Sequence, residues 1–150
     1  MLIEGDVYMP TVVAFINEHA EEVVNYWIST YYVNSDEYQL RRHDPSYVEA
    51  HRHETIALLK QALMNESSIA SNAKNIGEDR LDMRTSFKDA LTNHMSFYRA
   101  INEFLIIHYK KRTLICTEEE IFDMLLKFRE YEATSLGELF AAYTSKEVIR

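Results

Sequence analysis

The side chains of this chain that could do chemistry are histidines, arginines and one cysteine, and their spacing decides what each is for. His51-Arg52-His53-Glu54 has the residue types of a metal site. On a helix, residues two apart point about 200° from each other, so His51 and His53 do not hold one ion together. A zinc-protease pattern would place its second histidine at position 57, which is Ala57. Cys116 falls in a short connection without a His–acid pair, which argues against a thiolate nucleophile. The carboxylates of Glu118 and Glu120 are explained by a capping box, Thr117 with Glu120. There is no glycine-rich phosphate loop and no nucleophile elbow. Enzymatic chemistry and a bound metal are not expected.

Two sets of residues remain. Arg52 and Arg80 each fall on the inward stripe of a predicted helix, and Arg99 lies one turn from the stripe of another. A buried guanidinium without a partner is very costly, so each needs an anion. Glu49, Glu54, Asp79 or Asp82 would supply one in an ion pair, and a rim position would let the side chain snorkel. A ligand carboxylate gripped at the end of an apolar cavity would also supply it. The second set is His94, Tyr98 and His108 from one helix with His19 and Trp27 from another. An inward histidine is more often a hydrogen-bonded core residue than a ligand. In a helical protein His94 could also serve as an axial haem ligand.

The elements that must position these groups are helices. The longest uninterrupted pattern runs from Ser86 to Lys111. Phe87, Leu91, His94, Tyr98, Ile101, Leu105 and His108 recur there at alternating spacings of four and three, one continuous stripe at helical pitch. Ala90, Phe97 and Phe104 widen it. Ahead of it, Val12, Ile16, His19, Val23, Trp27 and Tyr31 predict a single helix from Pro10 to about Tyr32, after a short leader of mixed polarity over residues 1–9. Asn34-Ser35-Asp36 is a break, and the polar segment to His43 is ambiguous. Asp44-Pro45 starts the next helix as N-cap and first-turn proline, and it runs to Met64 with Val48, Arg52, Ile56, Leu59 and Leu63 inward. A third helix follows the caps at Asn65–Ser68, with Ile69, Ala73, Ile76, Arg80 and Met83 on one face. Gly77, inside that pattern, reads as close packing or as space left for a ligand. The last helix runs from Thr117 to about Tyr143 and carries Gly137 within a face. About five main helices and an all-α fold are expected.

Length and charge agree. A chain of 150 residues fits one domain, residues 1–150, that buries roughly 70% of its unfolded surface. Three Gly and two Pro suit long helices with short connections. A net charge of −8 argues against a nucleic-acid backbone or an anionic membrane as partner. The single cysteine excludes an internal disulfide and fits a reducing cytoplasm. No secretory signal and no membrane-spanning run occurs, so a soluble cytoplasmic protein is expected.

Three stretches resemble a known family. Phe15-Ile16-Asn17-Glu18 leading to Trp27, Glu66-Ser67-Ser68-Ile69 to Ile76-Gly77, and Ser86-Phe87-Lys88-Asp89-Ala90-Leu91 are similar to the N-terminal non-haem globin domains of stressosome RsbR-type proteins. With no output module attached, the chain looks most like the small sporulation inhibitory proteins related to a sporulation histidine kinase sensor domain. The resemblance implies a dimeric globin-like fold without haem or other cofactor. It implies a cavity holding a fatty acid, whose carboxylate meets an arginine and a chloride ion. The implied role is to sequester a signal that would otherwise activate the kinase. Arg80, Arg52 and Arg99 compete for the arginine position. His94, Tyr98, His51 and Trp27 complete the candidate ligand-binding set. A haem-binding globin sensor, and a ligand-free module forming heterodimers with its kinase, are the alternatives.

Overall fold

The computed structural model describes the backbone of residues 10–149 and the side chains of residues 10–145. The leader over residues 1–9 lies outside the described residues. Seven α-helices and no strand occur among the described residues, so the fold is all-α. They are α1 (Thr11–Glu18), α2 (Ala20–Thr30), α3 (Asp36–Arg41), α4 (Pro45–Met64), α5 (Ser68–Asp82), α6 (Phe87–Lys110) and α7 (Glu118–Ile149). A 3-10 turn at Tyr32–Asn34 joins α2 to α3.

Local signals set most of the boundaries. The Asp44 carboxylate accepts from the amides of Ser46 and Tyr47 and starts α4, with Pro45 in its first turn. Ser86 Oγ accepts from Asp89 N at the head of α6. Thr117 and Glu120 exchange two hydrogen bonds at 3.0 and 3.1 Å, the capping box that opens α7. The turns after α5 and α6 close on Arg84 and Arg112, both left-handed at φ 64° and 63°, where the amides of Thr85 and Thr113 reach back to the carbonyls of Arg80 and His108.

Two helix boundaries are corrected and one ambiguous segment is assigned. The single helix expected from Pro10 to Tyr32 is two, broken at His19, whose φ of −106° and ψ of 21° leave helical geometry. The polar segment before His43 holds an element that periodicity does not reveal, the six-residue α3. The last helix also continues past Tyr143 to Ile149.

The core gathers α1, α2, α6 and α7 around Ile16, Val23, Val24, Ile101, Leu105 and Phe128. A smaller cluster, Ala90, Leu139 and Tyr143, joins the head of α6 to the far half of α7. Gly77 explains how α5 lies against α7. A Cβ built there would stand 2.8 Å from Ala142 Cβ and 3.2 Å from Leu139 Cδ1, closer than packed carbon atoms approach. Its role is therefore close helix packing. Gly137 has no such neighbour within 4 Å and is exposed.

Candidate functional site

Between the α4–α5 pair and the α6–α7 pair the core leaves a cavity of about 120 Å³. The lining runs from His51 to Ala62 on α4, from Ile69 to Arg80 on α5 and from Ala90 to Ile101 on α6. Each run covers ~16 Å of helix at 1.5 Å per residue. Because α4 and α5 are antiparallel, His51 and Arg80 meet at one end, with Arg80 Nη2 3.4 Å from His51 Nδ1. Leu58, Leu59, Ile69, Ile76, Ile101 and Phe128 make the walls apolar. A mainly apolar lining along three helices with a single charged end suits a molecule with an apolar body and a polar head.

The charged end is built from four elements. Arg80 (α5) and Glu37 (α3) are both buried, and Arg80 Nε lies 2.7 Å from Glu37 Oε1. The contact is an ion pair without an aligned hydrogen bond, since Oε1 accepts none. The Tyr32 hydroxyl donates to the other oxygen, Glu37 Oε2. His51 (α4) places Nε2 3.7 Å from the same oxygen. Arg80 also pairs with Asp79 at the surface. Burial works against the guanidinium charge, but Glu37, Tyr47 and Asp79 outweigh it and the Arg80 pKa is raised. Burial first, then the charge of Arg80, holds His51 down to about 3. His51 is thus neutral at pH 7, taking a hydrogen bond from Arg80 on Nδ1 and facing Glu37 with its Nε2–H.

The remaining polar groups lie along the wall. His94 Nδ1 donates to the Ala90 carbonyl at 3.3 Å, which leaves Nε2 as an acceptor. Burial lowers its pKa to about 4, so it too is neutral at pH 7. Tyr98 and Ser135 share a hydrogen bond of 2.9 Å across the α6–α7 seam. Burial raises the Tyr98 pKa, with the Ser135 bond pulling the other way. The Trp27 indole packs against Tyr32, His51 and Phe97 and donates to Ser96 Oγ at 2.9 Å.

Five of the seven residues singled out in the sequence therefore surround one space: Trp27, His51, Arg80, His94 and Tyr98. Arg52 and Arg99 lie elsewhere. Arg52 reaches back over α4 to Glu49 and across to Glu21 of α2, the ion-pairing expected of a rim cation. Arg99 is largely exposed, pairs with Glu103 and lies 5.5 Å over the Tyr31 ring. His19 and His108 stack on each other at 6.4 Å beside Phe15 and Phe104, away from the cavity. His53 is exposed and pairs with Glu49, so His51 and His53 part as their spacing requires.

Glu37, Thr55, Asn72, Asn93 and Ser135 also line the cavity and were not legible as site residues. Glu37 had no signal of its own, because a lone acid in a polar segment reads as a solvated surface. No grouping of three or more His, Cys, Asp or Glu side chains suited to a metal ion occurs among the described residues. No helix among them is long and apolar enough to cross a membrane. Fold and site define an all-helical domain built around an apolar cavity with one charged end. No family model, no curated protein and no solved structure matches the chain.

Proposed function

We propose that the protein is a globin-like, haem-free sensor-type domain that takes a fatty acid into this cavity. The observation that carries the reading is Arg80, a buried cation at the one charged end of a mainly apolar space. A carboxylate head group, or a chloride, at Arg80 and a hydrocarbon tail along α4, α5 and α6 match the chemistry of the lining. The resemblance to sporulation inhibitory proteins extends the reading to sequestration, in the cytoplasm, of a signal that would activate a sporulation sensor histidine kinase.

The size of the cavity adds a condition. An engineered cavity of ~150 Å³ takes one benzene ring, so about 120 Å³ accepts a short chain as the walls stand. A long tail must part the walls. Each methylene moved from water contributes ~0.8 kcal/mol, which gives a long chain the means to do so. A porphyrin beside His94 would require a far larger rebuilding. A void in the core also speaks against the ligand-free module, which calls for a filled interior.

A homodimer is part of the proposal, and a second observation supports it. Phe122, Leu126 and Phe140, each more than half exposed, share one face of α7 with Ala133 and Gly137. Met95 and Ile106 are exposed on α6. The same face would serve a heterodimer with the kinase.

The test is to extract lipid from the purified protein, examine it by native mass spectrometry, and titrate it with dodecanoic acid. Trp27, the only tryptophan, reports occupancy by its fluorescence. Bound fatty acid, or uptake of the added acid, is expected. A protein that carries no lipid and takes up none ends this reading.

A further inference from the structure

The two buried side chains that meet at the end of the cavity carry opposite charges before any ligand arrives, and Asp79 pairs with Arg80 from the surface. Arg80 is 8% exposed and Glu37 3%, and they stand in direct contact. His51, the third group there, is neutral. A ligand carboxylate added to the intact pair would leave two buried anions facing one buried cation, in a site too dry to screen them. The head group must therefore be neutral, or Glu37 must go.

The placement of Glu37 favours its departure. It is the buried residue of α3, a helix of six residues. Two carboxylates anchor that helix to the body. Asp89 of α6 accepts from the amides of Asp36 and Glu37 at 3.0 and 2.9 Å. Glu37 itself reaches inward to Arg80 and Tyr32. Glu37 lines the cavity and its Oε1 accepts no hydrogen bond, so that oxygen is held to Arg80 by charge while Tyr32 holds the other. We propose that Glu37 stands in for the ligand: a carboxylic acid entering the cavity takes its place on Arg80, and Glu37 withdraws with α3. No covalent step is involved, and one anion replaces another. The proposal rests on the fatty-acid reading above and adds to it a head-group rule and an output. A neutral lipid of the same tail fits beside the intact pair and leaves α3 docked, whereas an acid releases it.

The test compares dodecanoic acid with dodecanol on the full chain, wild type and Glu37→Gln, by Trp27 fluorescence. Removing the internal competitor is expected to tighten dodecanoic acid by at least about tenfold and to leave dodecanol nearly unchanged. Hydrogen exchange on the saturated wild type is the second measurement, independent of whether the variant folds. The amides of Asp36 and Glu37 are expected to lose protection with the acid and to keep it with the alcohol. If the wild type binds the acid and Glu37→Gln binds it no more tightly, the exchange of carboxylates is wrong while the fatty-acid reading stands. It is equally wrong if α3 stays protected under saturating acid, or opens to the same extent with dodecanol. If neither protein takes up either probe, the cavity reading itself fails and the exchange falls with it.

Discussion

Arg80 Nε and Glu37 Oε1 meet at 2.7 Å between α5 and α3, both residues almost wholly out of water. Cutting such a pair on one side leaves an uncompensated buried charge, at about 3–5 kcal/mol, while removing both partners together is often nearly neutral. Arg80→Met is therefore expected to destabilise on that scale, and Arg80→Met combined with Glu37→Leu to recover most of the loss. Urea unfolding of the four members of the cycle measures the coupling. A double variant as unstable as the single one would show that the pair does not carry this energy.

Acid should weaken the fold before its carboxylates titrate. His51 and His94 are held at about 3 and about 4 by burial, against ~6.5 in the unfolded chain. As pH falls below the unfolded value, the unfolded state binds protons that the folded state refuses. Stability is full above that value and declines on acidification, by up to ~1.4 kcal/mol per pH unit for each histidine, until the folded pKa is reached. The window common to both runs from ~6.5 down to ~4. Unfolding midpoints between pH 7 and pH 5 should fall steeply in the wild type and less steeply in His94→Gln. An equal slope in both would remove His94 from the account.

The two helical glycines should respond oppositely to the same substitution. Gly77→Ala places a methyl 2.8 Å from Ala142 Cβ, so α5 and α7 must separate, a strain of about 1–3 kcal/mol that exceeds the gain in helix propensity. Gly137→Ala meets nothing within 4 Å and should stabilise by about 0.5–1 kcal/mol. Thermal melts of the two variants check both signs at once.

Filling the cavity should separate binding from stability. Ala73, buried in the α5 wall, grows into the void as Ala73→Leu. Uptake of dodecanoic acid is expected to drop about tenfold or more, with the melting temperature held or raised because a void is filled. Unchanged uptake would place the ligand elsewhere.

The exposed face of α7 predicts an assembly. Leu126→Glu with Phe140→Glu puts charges where two apolar faces would meet and should give a monomer by sedimentation, with the circular dichroism of the folded chain. A wild type that already sediments as a monomer would leave that face without its proposed partner.

What the sequence disclosed depended on whether the cause was local. Asp44-Pro45, Ser86 and Thr117–Glu120 mark their helix starts because the caps act within three residues. The stripe of α6 and the inward position of Arg80 follow from helical pitch. His19 does not announce a break, since the apolar periodicity of α1 continues through α2. The six-residue α3 depends on Asp89, which is 52 positions from Glu37, and no window of sequence contains both. The candidate partners for Arg80 named Asp79 but not Glu37 for the same reason. Arg52 shows the converse limit. Its stripe position is real, yet a long side chain escapes to Glu21 and Glu49, and phase alone does not tell it from Arg80.

The missing side chain at Gly77 has a mechanical consequence. With α5 seated on α7 at backbone distance, that side of the cavity is a fixed jaw. The neighbouring wall, α4, buries only Leu59 along its twenty residues and follows directly after α3. An opening wide enough for a long tail is therefore expected to move α4 rather than α5, pivoting at the short connection between Arg41 and Pro45.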